Sequence, residues 1–325
     1  MKQVNVIVAA IAFGVSGLVF QPSWAASVKV TPLGSHDGEF CRRDRAMVFE
    51  DPDGTRILYD AGMTVAGPSD PRLGKIDVVL LSGVHGDHLG AMAIPKVNAG
   101  TCAKPATSVK MMPISNTAVI IAKSGAKNFA GGEMQDFLRV QVKAAGGNPK
   151  KQVNVLRFGG ERRVGGVRIA IVPVSHSNGV SPAFLTSSLA AEMKKDGLTA
   201  YVGPDNGFIL SFSNGLVAYL SGDSGINADQ ETVVRRFYGA KLAVINAGGV
   251  WTSGPKEAAF SINELIKPNA VIPQHMNEEA TKGGKLIATS RTAKFKSLIK
   301  GIPVYVPLSG RTMEFDGNAT CVKGC

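Results

Sequence analysis

Leu81-Ser82-Gly83-Val84-His85-Gly86-Asp87-His88-Leu89-Gly90 decides how the rest of the chain is read. Residues 76–81 just before it are aliphatic except for Asp77, and Ser82 and Gly83 stop the run, as expected of a strand buried on both faces of a layered sheet. Two imidazoles and a carboxylate then follow within four residues. A loop leaving a strand can aim all three at one point, and imidazole nitrogen and carboxylate oxygen both bind Zn²⁺ at roughly 2 Å. The plainer alternative is a polar turn that caps the next helix, with Asp87 or Ser82 at the N-cap.

Three more strand ends outside this stretch carry residues of the same kind. The strand-like run 167–174 ends in Ser175-His176-Ser177-Asn178-Gly179, the run 217–221 ends in Gly222-Asp223, and 271–274 is followed by His275. Taken singly, each is more often a structural histidine or a turn-forming aspartate. Together they are four strand ends, and reactive residues in α/β proteins gather at strand ends along one edge. The two halves also share a grammar. A hairpin turning at Asp51-Pro52-Asp53-Gly54 ends in Tyr59-Asp60, and another turning at Asn214-Gly215 ends in Gly222-Asp223, each followed by a buried run, at 76–81 and 241–245. Helical patterns at 116–145, 186–195, 229–237, 255–265 and 292–299 alternate with strand patterns at 270–273 and 303–307. No linker-like shift in composition separates the halves. The expectation is one α/β domain, residues 26–325, of two related βα halves with helices outside.

Composition narrows the function. With 44% hydrophobic and 19% charged residues among 325, the chain can bury a full core. Lys and Arg exceed Asp and Glu by 36 to 25, but the basic residues are scattered, which argues against nucleic acid and favours a small anionic substrate. No GxSxG elbow or Walker-type loop is present. Residues 1–25 carry Lys2, an apolar stretch over 6–20 and Ser23-Trp24-Ala25, a secretory signal peptide whose cleavage leaves a periplasmic or secreted protein with no stable membrane insertion. The apolar stretch is too short for a spanning helix and is broken by Gly14, Ser16 and Gly17. Four cysteines without CxxC spacing suit disulfides in that compartment. Of the three possible pairings, Cys321 with Cys325 and Cys41 with Cys102 is expected, because the first two are close enough to close a small loop.

The loop Gly83-Val84-His85-Gly86-Asp87-His88, followed by separate His, Asp and His strand ends, resembles the metallo-β-lactamase superfamily, whose usual loop is HxHxDH. Residues 246–252, Gly254-Pro255-Lys256-Glu257-Ala258-Ala259 and Ile272-Pro273-Gln274-His275 look like the branch related to ascorbate-6-phosphate lactonase. The resemblance covers about 28–315 and implies an αββα sandwich and a dinuclear zinc hydrolase. It implies His85 and His176 at the first metal, Asp87, His88 and His275 at the second, and Asp223 between them. Gly83 stands where the loop's first His belongs, so the first metal is expected to be vacant or weak; if Gly83 merely replaces a ligand, Gly83→His should raise metal content toward two, and if Gly83 has positive φ or lets a substrate approach the backbone, the larger side chain should destabilise the loop and lower activity.

In this reading a zinc-bound hydroxide attacks a small ester, lactone, phosphoester or amide, while Asp87 and Asp223 hold metal and orient water. Asp60 is expected to hydrogen bond a ligand imidazole, and His36 to be a surface-loop residue. Two other classes share the pattern. One is a metal- or ligand-binding protein that has lost catalysis, suggested by Gly83; the other is a mononuclear iron oxygenase of the same fold.

Overall fold

Two six-stranded sheets lie face to face, each covered on its outer face by helices. The computed structural model describes Met1 and residues 26–325, so the leader expected over 1–25 falls, apart from Met1, outside the described residues. No helix among the described residues is long and apolar enough to cross a membrane.

Alternation along the strands builds the layers, because successive side chains of a strand point to opposite faces. In the first sheet Phe49, Ile57, Tyr59, Val78 and Leu80 point inward against Ile169, Ile171, Phe208, Leu210, Leu220, Val244 and Ile272 of the second. Their neighbours Val48, Leu58, Val79 and Leu81 point outward under the helices Asn116–Ser124 and Gly132–Ala144. On the far side, Val172, Tyr219, Ile245 and Val271 pack under helices that contribute Val234, Ile262 and Phe295. The αββα sandwich follows from these three apolar layers.

The repeated grammar is visible in the topology. Met47–Glu50 and Arg56–Tyr59 form an antiparallel hairpin, and Val78–Leu80 then pairs parallel to its second strand. Asn206–Ser211 and Val217–Leu220 do the same, followed by the parallel strands Leu242–Asn246 and Ala270–Gln274. Parallel strands end along one edge, which brings Asp60, the 81–90 loop, Asp223 and His275 together. Tyr59 ties the two sheets at that edge. Its hydroxyl accepts from the Gly222 backbone N at 3.0 Å and from Gln274 Nε2 at 3.3 Å.

Some expectations need correcting. Residues 303–307 do not form a strand within the sheet; only Val304 makes an isolated parallel bridge, to Val271. Pro303 and Pro307 lack the N–H groups a ladder needs. The helix expected from residue 186 begins at Leu189. The first sheet also gains two strands the patterning did not suggest, Met313–Phe315 against Val28–Pro32 and then Cys321–Lys323. Cys41 is bonded to Cys102, with Cα atoms 4.7 Å apart, and Cys321 is paired with Cys325.

Candidate metal centre

The 81–90 loop is shaped by one buried carboxylate. Asp60, in left-handed backbone conformation at φ 44°, accepts from the Ser82 backbone N at 2.8 Å and from Ser82 Oγ at 2.7 Å, which turns the chain as it leaves its strand. Residues Gly86–Leu89 then make one helical turn, with the His88 and Leu89 N–H groups donating to the His85 carbonyl, and Gly90 ends it at φ 78°. That turn puts His88 over Asp60. His88 Nδ1 lies 2.9 Å from Asp60 Oδ2 and His88 Nε2 lies 3.0 Å from Asp223 Oδ2.

His275, also left-handed at φ 51°, stacks on His88 with ring centres 5.2 Å apart. Its Nε2 is 3.3 Å from Asp87 Oδ2 and 3.4 Å from Asp223 Oδ2, yet neither of its ring nitrogens has a hydrogen-bond partner among the described residues. Asp87, His88 and His275 each offer a ligand atom within 4.8 Å of the others. Asp223 Oδ1 is buried beside them and likewise unpartnered.

On the other side the rings of His85 and His176 meet edge to face at 5.1 Å, and His176 Nε2 is 3.9 Å from Asp223 Oδ2. Asp223 therefore lies between the two groups. His36 is apart from both, bonded within its own loop to Ser35 Oγ at 3.0 Å and the Gly100 carbonyl at 3.2 Å.

Charge is unevenly distributed here. Burial opposes ionisation of Asp87 and Asp223, but Arg45 beside Asp87 and His88 beside Asp223 outweigh it and hold both carboxyls well below the usual range. Burial would lower His88, but Asp223 and Asp60 on its two nitrogens raise it well above an ordinary imidazole. Burial lowers His85, His176 and His275, leaving their nitrogens available as neutral donors.

The patterning missed two residues that the fold brings to this edge. Arg45 is buried with its guanidinium 2.7 Å from Asp87 Oδ2, an ion pair whose angle is too poor for a hydrogen bond. In sequence it is one of a basic cluster, Arg42-Arg43-Asp44-Arg45, and nothing there marks it as internal. Asp205 is 2% exposed and rests against Gly83. Gly83 is not in the left-handed region. A Cβ at Gly83 would come within 2.6 Å of Asp205 Oδ1, so the expectation that Gly83→His simply restores a ligand is corrected: Asp205 already fills the space where that side chain would branch. Burial, with the charges of Asp223, Asp60 and Asp87 adding to it against His88, pushes the Asp205 carboxyl up to about 8.

Above these groups opens a cavity of about 540 Å³, lined by Arg42, Arg43, Ser177, Trp251 and Asn277 as well as by His85, Asp87, His176, Asp223 and His275. The Cys41–Cys102 bond anchors the backbone next to the two arginines. Trp251 stands at the mouth, 77% exposed.

Residues 55–276 match the family model described as the Beta-lactamase superfamily domain. The chain is 28% identical over 275 residues to a UPF0173 metal-dependent hydrolase of Polynucleobacter asymbioticus, covering 81% of each protein. It is 29% identical over 282 residues to one of Cupriavidus necator, again covering 81% of each. Among solved structures, Igni18, a metallo hydrolase of Ignicoccus hospitalis, superposes with a TM-score of 0.57 at 21% identity, over 89% of this chain and 99% of that one.

Proposed function

The chain belongs to the beta-lactamase superfamily and is a metal-dependent hydrolase, and from that premise we propose a zinc enzyme that cleaves a small anionic ester, lactone, phosphoester or amide. One observation carries the reading. Asp87, His88 and His275 converge within 4.8 Å while the His275 nitrogens and Asp223 Oδ1 are buried without a hydrogen-bond partner, a cost that a bound cation relieves.

The donor set suits zinc, being imidazole and carboxylate in a compact group. Zinc held by Asp87, His88 and His275 would supply hydroxide at neutral pH, because it would lower the pKa of bound water toward about 7. The protein's own groups do the rest. Asp60 on Nδ1 would keep the proton of His88 there, so that Nε2, which faces Asp223, could give up its own proton and offer a lone pair to a cation. Arg45 balances the charge of Asp87 from the buried side. Asp223, between the two imidazole groups, is placed to accept a hydrogen bond from attacking water and fix its direction. At the mouth, Arg42 and Arg43 are placed to receive an anionic substituent of the substrate. Burial first, and then the neighbouring Arg45 and Arg42, lower the affinity of the Arg43 guanidinium for its proton.

The resemblance to the ascorbate-6-phosphate lactonase branch supports an anionic lactone or phosphoester within that class. The leader pattern and the Cys41–Cys102 bond support a periplasmic or secreted enzyme, whose exported form should begin near Ala26 by mass spectrometry.

The test is metal content of the purified protein together with turnover of nitrophenyl phosphodiesters, lactones and β-lactams. Zinc with turnover is expected. Zinc without turnover would point to a binding protein, and iron with oxygen uptake to an oxygenase. Arg43→Ala should raise KM about tenfold for anionic substrates with kcat nearly unchanged, the worth of one charge-assisted contact of about 1.4 kcal/mol. An equal rise for neutral substrates would remove the anion from the reading.

A further inference from the structure

We propose that Trp251 is the apolar wall of the substrate site, so that the substrate carries a hydrophobic aryl or alkyl group as well as its anionic one. The proposal rests on the reading of the chain as a hydrolase of a small anionic compound, and deepens it by naming the group that stands beside the anion.

The first ground is the lining of the cavity. Arg42, Arg43 and Asn277 bring hydrogen-bond donors to it, and the Asn277 Nδ2 has no partner among the described residues. Imidazoles, carboxylates and the Ser177 hydroxyl make up the rest, so that Trp251 is the one large apolar side chain among the described residues that line it. Trp251 is 77% exposed, and Val250 beside it 86%. An indole has one of the largest apolar surfaces of any side chain, and covering it yields free energy in proportion to that surface. Next to a metal centre, the molecule placed to cover it is the one that reaches the metal.

The second ground is how the tip is made. Val250 is held in left-handed backbone at φ 62°, a conformation that β-branched residues rarely adopt. The Trp251 N–H donates to the Gly249 carbonyl at 2.8 Å, and the Gly249 N–H to the Ser253 carbonyl at 3.1 Å, closing a tight turn around Val250. Both apolar side chains of that turn stay in water, so the strained backbone is not offset by packing at the tip. Such strain gathers where a chain meets a ligand.

The third ground is what the tip is fixed to. Ser253 Oγ donates to the carbonyl of Ser224, the residue after Asp223, at 2.9 Å. On the other stem Gly248 packs so closely on the backbone of His275 that a Cβ there would collide with the His275 carbonyl, and Arg291 donates to the Gly248 carbonyl at 2.7 Å. Both stems therefore stand on neighbours of the metal-centre residues. Trp251 is carried at a set reach from them, which is what a wall needs in order to select by the size of the group that fits against it.

The experiment reads Trp251 itself. Trp24 and Trp251 are the two tryptophans of the chain, so Trp24→Phe leaves Trp251 as the only indole. Metal-loaded protein is titrated with methylphosphonate, butylphosphonate and benzylphosphonate, which share one anionic group and differ in the apolar one. The emission of the free protein should be that of an indole in water. Butyl- and benzylphosphonate should move it to shorter wavelength and bind about tenfold more tightly than methylphosphonate, which should leave it in place. By calorimetry, Trp251→Ala should bring the three phosphonates to one affinity, and Trp251→Phe should keep most of the difference. Equal affinities with unmoved emission would overturn the proposal and leave the hydrolase reading standing. Free protein whose emission is already at short wavelength and moves to longer wavelength on dilution would overturn it too, because a second copy would then cover the tip. Failure of all three phosphonates to bind would remove the anionic substrate and this proposal with it.

Discussion

The two sides of the metal centre differ in what holds them. On the closed side His88 is 2% and His275 3% exposed, each ligand nitrogen is fixed by a second group or by stacking, and Arg45 backs Asp87 from the interior. On the open side His85 and His176 are only partly buried, meet each other edge to face and line the cavity. The closed side is therefore preorganised before any ion arrives, whereas the open side is built from His85 and His176, on separate loops that face the cavity. Preorganisation lowers the cost of capture, so the two positions should differ in affinity.

The largest effect that would break this contrast comes from the closed side. His88→Ala or His275→Ala should release most of the tightly held metal, measured by elemental analysis after dialysis, because each removes a ligand that nothing nearby can replace. Full retention in both would mean the tight position lies elsewhere. Asp60→Asn acts one layer back: it weakens the acceptor that fixes His88 and should lower affinity of the closed side by about 10- to 100-fold, leaving the open side unchanged. Equal weakening of both ions would erase the distinction.

The smallest effect is a pH dependence at Asp205, the buried carboxyl that rests against Gly83. The Asp205 carboxyl sits at about 8 in the folded chain against about 4 when unfolded. Stability from its neutral form is present in full below the unfolded value and is lost as pH rises through the folded one. Metal-free Asp205→Asn should therefore gain on wild type in melting temperature between pH 5 and pH 8, by several degrees. A gap that stays constant over that range would show that the carboxyl is not strained by burial.

Much of this was readable in the chain itself. His85, Asp87, His88, His176, Asp223 and His275 all follow aliphatic runs directly, and in a layered α/β sheet the end of a run is the end of a strand, so position along the chain translates into position at the edge. Asp205 was hidden because Gly203-Pro204-Asp205-Asn206-Gly207 has the composition of an ordinary turn, and its meaning depends on a backbone contact with Ser82, far off in sequence. Arg45 was hidden because charge alone does not tell a solvated arginine from one buried against Asp87. The closing strands Met313–Phe315 and Cys321–Lys323 are three residues each, too short for alternation to stand out.

The pairing of Val28 with Phe315 has a consequence for how the molecule comes into being. The first strand to leave a ribosome or a translocation channel cannot find its outer neighbour until nearly the last residues follow, at about 5–20 residues per second. Until then the outer edge of Val28–Pro32 has no partner, while His176, Asp223 and His275 emerge one after another. A chain arranged this way stays threadable for almost its whole synthesis. If it is exported, that delay favours passage in an unfolded form and postpones metal capture to the far compartment, where that compartment's metal supply, rather than the cytosol's, decides what is bound.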